Sequence, residues 1–399
     1  MSEPIAFSRR PPGRAKMRIG LLRLADGGPV IAAYEFGFFA DEGLEVELFI
    51  EPSWANIADK LVYEFLDAAV IVPPLAFLVH LGLRGRAEPL FIPYAISANG
   101  NTVTLSRPLA EAVLETAARR NLPPAQALAS CLRQKSAALG VVHAYSTHSL
   151  LLRYWLATAG IEAGRDFKLT VVPPERVVEA MRSGQIAGFC AGAPWGEVAR
   201  RAGWGETIAA SRDIWRHAPE KAFAVRARFA EGRQEILGGA LRALLRAAKF
   251  CDDPKNASYT AALLSRQKYV GVDSHAILAG LPGSSAPETG CVFYRGAATF
   301  PWRSHALWFL SEMRRWGLIG ASLGLRELVQ HVYRPDLYRA ALAPTGEPLP
   351  ASDYKLEGAH DTGFLVAAVP APIAMPADRF CDGTVFDPEA LPLTRASRQ

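Results

Sequence analysis

Of 399 residues, half are hydrophobic and 21% are charged, the balance of a globular chain with a sizeable core. A net charge of +5, spread along the chain, argues against a nucleic-acid grip, and no apolar run approaches the roughly 20 residues that span a bilayer. Five widely spaced cysteines with no CxxC pair exclude a disulfide framework, a zinc site and a redox dithiol.

Residues 1–16, ending in the basic phrase SRRPPGRAK, predict a disordered arm. The first apolar stretch, Met17–Leu24, is interrupted by Arg18 and Arg23, whereas a secretory signal needs about 7–15 apolar residues. The expectation is therefore a cytoplasmic protein, with Arg9-Arg10 only a weak hint of twin-arginine export. Met17–Leu24 reads as a strand, Gly28–Phe39 as a helix opened by Pro29, and Leu44–Ile50 as a second strand. Ile57, Leu61 and Phe65 carry helical spacing, and Asp67–Phe77 reads as a buried strand running into a helix. Pro89–Ile96, Thr102–Ser106, Ala137–Val142, Lys168–Val172, Ile186–Cys190 and Ala222–Arg226 read as further strands. Between them Leu109–Arg120, Pro124–Arg133, Thr147–Ala159 and Pro174–Ser183 are predicted helices. This alternation predicts parallel sheets of α/β type. Glu235–Cys251, Ala257–Arg266 and Ser304–Trp316 are helical, and beyond Leu342 frequent prolines predict an irregular surface wrap.

Six phrases in order carry a family resemblance. They are LADGGPVIAAYEFGFFADEGLEVEL followed by Trp54, then NGNTVTLS, HAYSTHSLLLRYWLATAGI, GAPW, PEKAFAV and, near the end, FCDGTVFDP. Together they resemble the nitrate- and bicarbonate-binding family of ABC-transporter solute-binding proteins, over nearly the full length. The resemblance implies an α/β, two-lobed fold of the periplasmic-binding-protein type II-like class, with an anion held in the cleft. It implies a discontinuous first lobe (17–102 and 223–341), a second lobe (103–222) and a C-terminal wrap (342–399). Residue by residue it implies Trp54, Asn101, His148, Gly192 and Lys221 as the nitrate- or nitrite-binding set, with Asn99 an alternative source of the amide. No metal and no cofactor are implied.

The chemistry of those residues fits a planar anion that offers only acceptors. Lys221 supplies charge and up to three donors, Trp54 an indole N–H and an apolar wall, Asn101 two amide donors, and His148 one donor or two. Gly192, lacking a side chain, lets a backbone N–H come close. A donor-only pocket with no carboxylate nearby is the expectation, and Lys221 favours nitrate or nitrite over bicarbonate. Taken singly each residue has an ordinary alternative. A lysine at a strand entrance is usually solvated, a tryptophan before a helix usually packs, a histidine at a helix start finds a local partner, and glycine and Asn-Gly mark turns.

Catalytic signatures are missing: no P-loop, dinucleotide fingerprint, HExxH or GxSxG occurs. Cys190 lies in an apolar strand, where a thiol behaves as a small hydrophobe. The same fold class hosts a thiamine-pyrimidine synthase that consumes its own histidine, but its cysteine-rich signature has no match here. A non-enzymatic binding protein is expected. The absent leader and the anion site together resemble the cytoplasmic nitrate/nitrite sensors of the NasS type. That likeness implies regulation of nitrate assimilation by ligand-dependent release of an RNA-binding antitermination partner of the NasT type. The receptor of a nitrate transporter is the alternative.

Overall fold

The computed structural model describes residues 15–83, 85–134, 137–283 and 290–391; of the arm predicted over 1–16, residues 1–14 lie outside it, while Ala15 and Lys16 are not disordered but open the first strand by pairing with Leu44 and Glu45. Among the described residues the nine predicted strands, joined by one that was not predicted (Gly205–Ala210), sort into two five-stranded sheets. The first contains β1 (Ala15–Leu21), β2 (Leu44–Ile50), β3 (Ala68–Ile71) and β4 (Leu90–Ala95). After a short β5 (Ala98–Asn99), the chain builds the second sheet from β6 (Asn101–Ser106), β7 (Ala138–Val141), β8 (Lys168–Val171), β9 (Gly188–Gly192) and β10 (Gly205–Ala210). It then returns to the first sheet through β11 (Ala222–Arg226), and β12 (Cys291–Val292) pairs with β5.

The orders are β2-β1-β3-β11-β4 and β10-β6-β9-β7-β8. Both sheets are mixed rather than parallel. β1 runs parallel to β2 and β3, but β11 is antiparallel to β3 and β4. In the second sheet β7 runs parallel to β8 and β9, while β6 is antiparallel to β9 and to β10. The reversals occur where the chain passes between sheets. A strand that arrives from the other lobe enters the sheet from the opposite end to strands delivered by a helical crossover.

Helices cover both sheets. The predicted first helix is split into α1 (Gly28–Glu35) and α2 (Phe38–Asp41), because Gly37 turns the chain at a φ of 76°. α3 (Trp54–Val62) starts at an N-cap where Ser53 accepts a hydrogen bond from the Asn56 N–H. α4 (Pro73–Leu81), α5 (Arg107–Arg120) and α6 (Pro124–Gln134) follow, and α7 (Thr147–Ala157) is capped in the same way by Ser146. Further on, the long helix Gln234–Asp252 packs on α1 and the helix Arg303–Arg315 touches both α4 and α7.

Among the described residues two segments link the lobes: 96–100 outward and 211–221 back. They pair with each other. The Ile96 N–H donates to the Lys221 carbonyl at 2.7 Å and the Glu220 N–H to the Ser97 carbonyl at 3.0 Å. Asn99, at a φ of 58°, closes the ladder with its side chain: its amide oxygen accepts from the Ala218 N–H at 3.1 Å and its NH2 donates to the Arg216 carbonyl at 3.2 Å.

The tail is laid over this hinge. The Cys381 N–H donates to the Ile214 carbonyl at 2.9 Å and the Arg216 N–H to the Arg379 carbonyl at 3.0 Å. Phe380 is buried against Trp215, Trp308 and Tyr154, with ring centroids 4.6, 5.9 and 5.5 Å away. Within the wrap, Leu349–Pro350 pairs with Ala368–Val369 and Phe364–Val366 with Ile373–Met375.

Candidate functional site

The hinge places its last residues, Glu220 and Lys221, between the lobes. Each lobe adds the beginnings of elements. From the first come Asp26, in the turn Ala25–Gly27 before α1, and Trp54, the first residue of α3. From the second come Asn101 at the start of β6, Thr147 and His148 at the start of α7, and Gly192 at the end of β9. The five residues proposed from the sequence are thus brought into one place, and all are buried, Lys221 and His148 to about 1% exposure or less.

Lys221 is the centre. Its Nζ lies 2.8 Å from Asp26 Oδ2, forms an ion pair with Glu220, and sits 5.4 Å from the centroid of the Trp54 ring. Glu220 in turn accepts from Asn101 Nδ2 at 3.1 Å and from the Thr147 hydroxyl, with His148 Nε2 3.6 Å away. Two carboxylates therefore stand where a donor-only pocket was expected. The physical reason is burial: an ammonium out of water needs counter-charge within contact distance to stay ionised. Asn101 departs from expectation too, because its NH2 is directed to Glu220 and its oxygen is the atom left without a partner. Asn99, the alternative amide, is fully engaged in the hinge.

The electrostatics follow from the same contacts. Burial works against the Lys221 charge, but Asp26 and Glu220 reverse the effect and hold its pKa above the usual lysine value. Glu220 is likewise buried, yet Lys221, His148 and its hydrogen-bond donors keep it below the ordinary carboxylate range. Asp26 goes the other way: burial, reinforced by the Glu220 charge and only partly opposed by Lys221, raises it to about 6. His148 is depressed to about 3, chiefly by burial, so its imidazole is neutral. Burial pushes the Cys190 thiol up to about 12, which removes it as a nucleophile at neutral pH.

Among the described residues, Trp54 Nε1 and both His148 ring nitrogens have no hydrogen-bond partner despite burial. Unpartnered buried polar groups are uncommon and mark places where a ligand completes the set. Gly192 leaves little spare room beside these groups. A Cβ on it would lie 3.3 Å from Asp26 Oδ2, 3.4 Å from Asn101 Oδ1 and 3.4 Å from Leu24 Cδ2. The arrangement can hold a small polar ion through the free donors of Trp54 and His148.

Asp26, Glu220 and Thr147 were not singled out from the sequence, although each lies inside a family phrase: LADGG, PEKAF and STHS. The lobes also meet directly beside the site. The Ala25 N–H donates to the Ala193 carbonyl at 2.9 Å, Trp195 Nε1 to the Arg23 carbonyl at 3.2 Å, and Arg23 pairs with Glu175 at 3.6 Å.

Comparison with known proteins fits this geometry. The nitrate/nitrite-binding protein NrtA of Synechococcus elongatus is 31% identical over 391 residues, covering 93% of this chain and 83% of the relative. The nitrate import ATP-binding protein NrtC of Synechocystis is 34% identical over 358 residues, which is 87% of this chain but 52% of NrtC, so the chain spans about half of that relative. Among solved structures, the periplasmic nitrate-binding protein NrtA of Synechocystis superposes with a TM-score of 0.81 at 27% identity, covering 94% of this chain and 96% of that one. The superposition on the solved NrtA agrees with the two-lobed periplasmic-binding fold described above. A profile of the NMT1-like family matches residues 10–265, and the chain belongs to that family.

Proposed function

We propose that the chain binds nitrate or nitrite between its lobes as the solute-binding receptor of a nitrate ABC transporter. One observation carries the reading: a fully buried Lys221 flanked by the unpartnered N–H of Trp54 and by His148, at the junction of the lobes. Support comes from the NrtA relatives, named as nitrate/nitrite-binding proteins, and from NrtC, named as a nitrate import protein. The anion would bridge α3 of one lobe and α7 of the other, so binding favours the lobe-closed state. Helix N-termini at α1, α3 and α7 add partial positive charge on the same side.

The cytoplasmic NasS-type sensor, releasing a NasT-type RNA-binding partner, is the narrower reading. It uses the same pocket and the same closure, with the open state holding the partner. The relatives favour the receptor over it.

Calorimetry with nitrate, nitrite and bicarbonate tests the pocket: nitrate or nitrite should bind and bicarbonate should not. Bicarbonate binding without nitrate binding overturns the reading. Cell fractionation separates receptor from sensor, because a receptor is recovered mainly from the periplasm and a sensor from the cytosol.

A further inference from the structure

The charge inventory of the site is awkward for an anion. Lys221 contributes one positive charge, and Asp26 and Glu220 one negative charge each when ionised. With His148 neutral, the buried cluster is left with one net negative charge before any ligand enters. A second negative charge in the same water-excluded space meets repulsion that one ammonium, already shared between two carboxylates, does not offset.

Among the described residues, the titratable groups that act on the cluster are six. Asp26 comes from the turn before α1, Glu220 and Lys221 from the hinge, His148 from α7, Cys190 from β9 and Cys291 from β12. The two thiols stay neutral because burial raises both. Glu220 accepts from Lys221, Thr147 and Asn101, three donors that fix it as a carboxylate. Asp26 differs, since among the described residues its side chain is held by Lys221 alone. Its Oδ2 also reaches to within 3.3 Å of the point a Cβ on Gly192 would occupy, against the backbone proposed to meet the ligand. Ionised, that oxygen repels an anion; protonated, it becomes an O–H donor aimed at the same space.

We propose that the site takes up its anion together with one proton, which adds to the Asp26 carboxylate. This rests on the nitrate reading of the same pocket. The proton comes from solvent, forms an O–H bond on Asp26 and leaves with the anion; no bond of the ligand changes. Lys221 is then released from one of its two carboxylates and can turn a donor to the ligand. The receptor thereby reports, or carries, the anion in proportion to both its concentration and the acidity outside.

The bound state holds the proton more tightly than the free state, so affinity falls as pH rises. Titration of the full chain with sodium nitrate, in two buffers of different ionisation enthalpy at the same pH, should show uptake of about one proton per nitrate, and affinity should weaken about tenfold per unit between about pH 7 and 8. Asp26→Asn fixes a neutral donor there: it should bind nitrate at least tenfold more tightly than the wild type at about pH 8, without pH dependence or proton uptake. If the variant does not fold, the two-buffer measurement on the wild type decides. Nitrate binding with no buffer dependence and a flat pH profile overturns the proposal, as does proton uptake retained in Asp26→Asn. No nitrate binding at any pH instead overturns the nitrate reading itself, so the two failures are distinguishable.

Discussion

At the scale of the residue, Lys221 is both the ligand's expected counter-ion and the neutraliser of two buried carboxylates. Lys221→Ala should therefore lower folding stability by about 3–5 kcal/mol, because it leaves uncompensated buried charge. Urea unfolding measures this, and Lys221→Ala with Glu220→Gln should recover part of the loss; a double variant no more stable than the single one would contradict the pairing. Trp54→Phe is the cleaner probe of binding. It keeps an aromatic wall, though a smaller one, and removes the indole N–H, so nitrate affinity should fall by at least about 1.5–3 kcal/mol, the worth of a hydrogen bond to an ion. An unchanged dissociation constant would take Trp54 out of the ligand shell. The family phrases named the five candidate residues but hid the carboxylates. Glu220 and Lys221 are adjacent, and neighbours in a strand point to opposite faces. Only the bend of the hinge ahead of β11 turns both inward, and a bend of that kind leaves no periodic trace.

At the scale of the element, periodicity located β2 to the residue and most of the other strands and helices to within a few. It could not give strand direction, which depends on the route between lobes rather than on local pattern. The helix Leu325–Val332 buries Leu325, Leu328, Val329 and Val332, a helical spacing present in the sequence but short enough to pass for loop. The C-terminal wrap was legible only as irregular. What the pattern does not show is that Phe380 plugs the aromatic cluster of Trp215 and Trp308, while Tyr154 hydrogen-bonds Asp382 and Thr384, each at 2.8 Å. Phe380→Ala should lower stability by about 3–5 kcal/mol in urea unfolding, the usual cost of emptying a buried phenylalanine site. A change within experimental error would mean the wrap is not fastened there.

At the scale of the whole molecule, the two-lobed architecture follows from the resemblance, but the closed state does not. Closure depends on interlobe contacts such as Ala25 with Ala193, which no single segment encodes. Gly280 tests it: a Cβ there would come within 2.4 Å of the Ala193 Cβ across the gap. Gly280→Val should wedge the lobes apart, seen as a larger radius of gyration in X-ray scattering and a nitrate affinity at least tenfold weaker, with far-ultraviolet circular dichroism retained. Stability should also fall in acid. His148 and His217 both sit near 3, pushed down chiefly by burial and, for His217, by Lys355 and His305 as well. Groups depressed in this way bind fewer protons folded than unfolded, so their stabilisation is complete above the unfolded value of 6.5 and is lost as pH falls toward 3. Asp26, raised to about 6, acts with the opposite sign over part of that range, and two histidines outweigh it. His217→Asn should flatten the decline in urea midpoint between about pH 7 and 5.

The hinge ladder has a further consequence. Segments 96–100 and 211–221 are hydrogen-bonded to each other and overlain by the tail, so parting the lobes must twist a fastened ribbon rather than flex two free loops. Glu220 and Lys221 lie in that ribbon, each bonded through its backbone to the opposite segment. On opening they should move least, while Trp54 on α3 and His148 on α7 should part with their lobes. A captured ion would then need both its side-chain contacts broken and the ribbon twisted before it could leave.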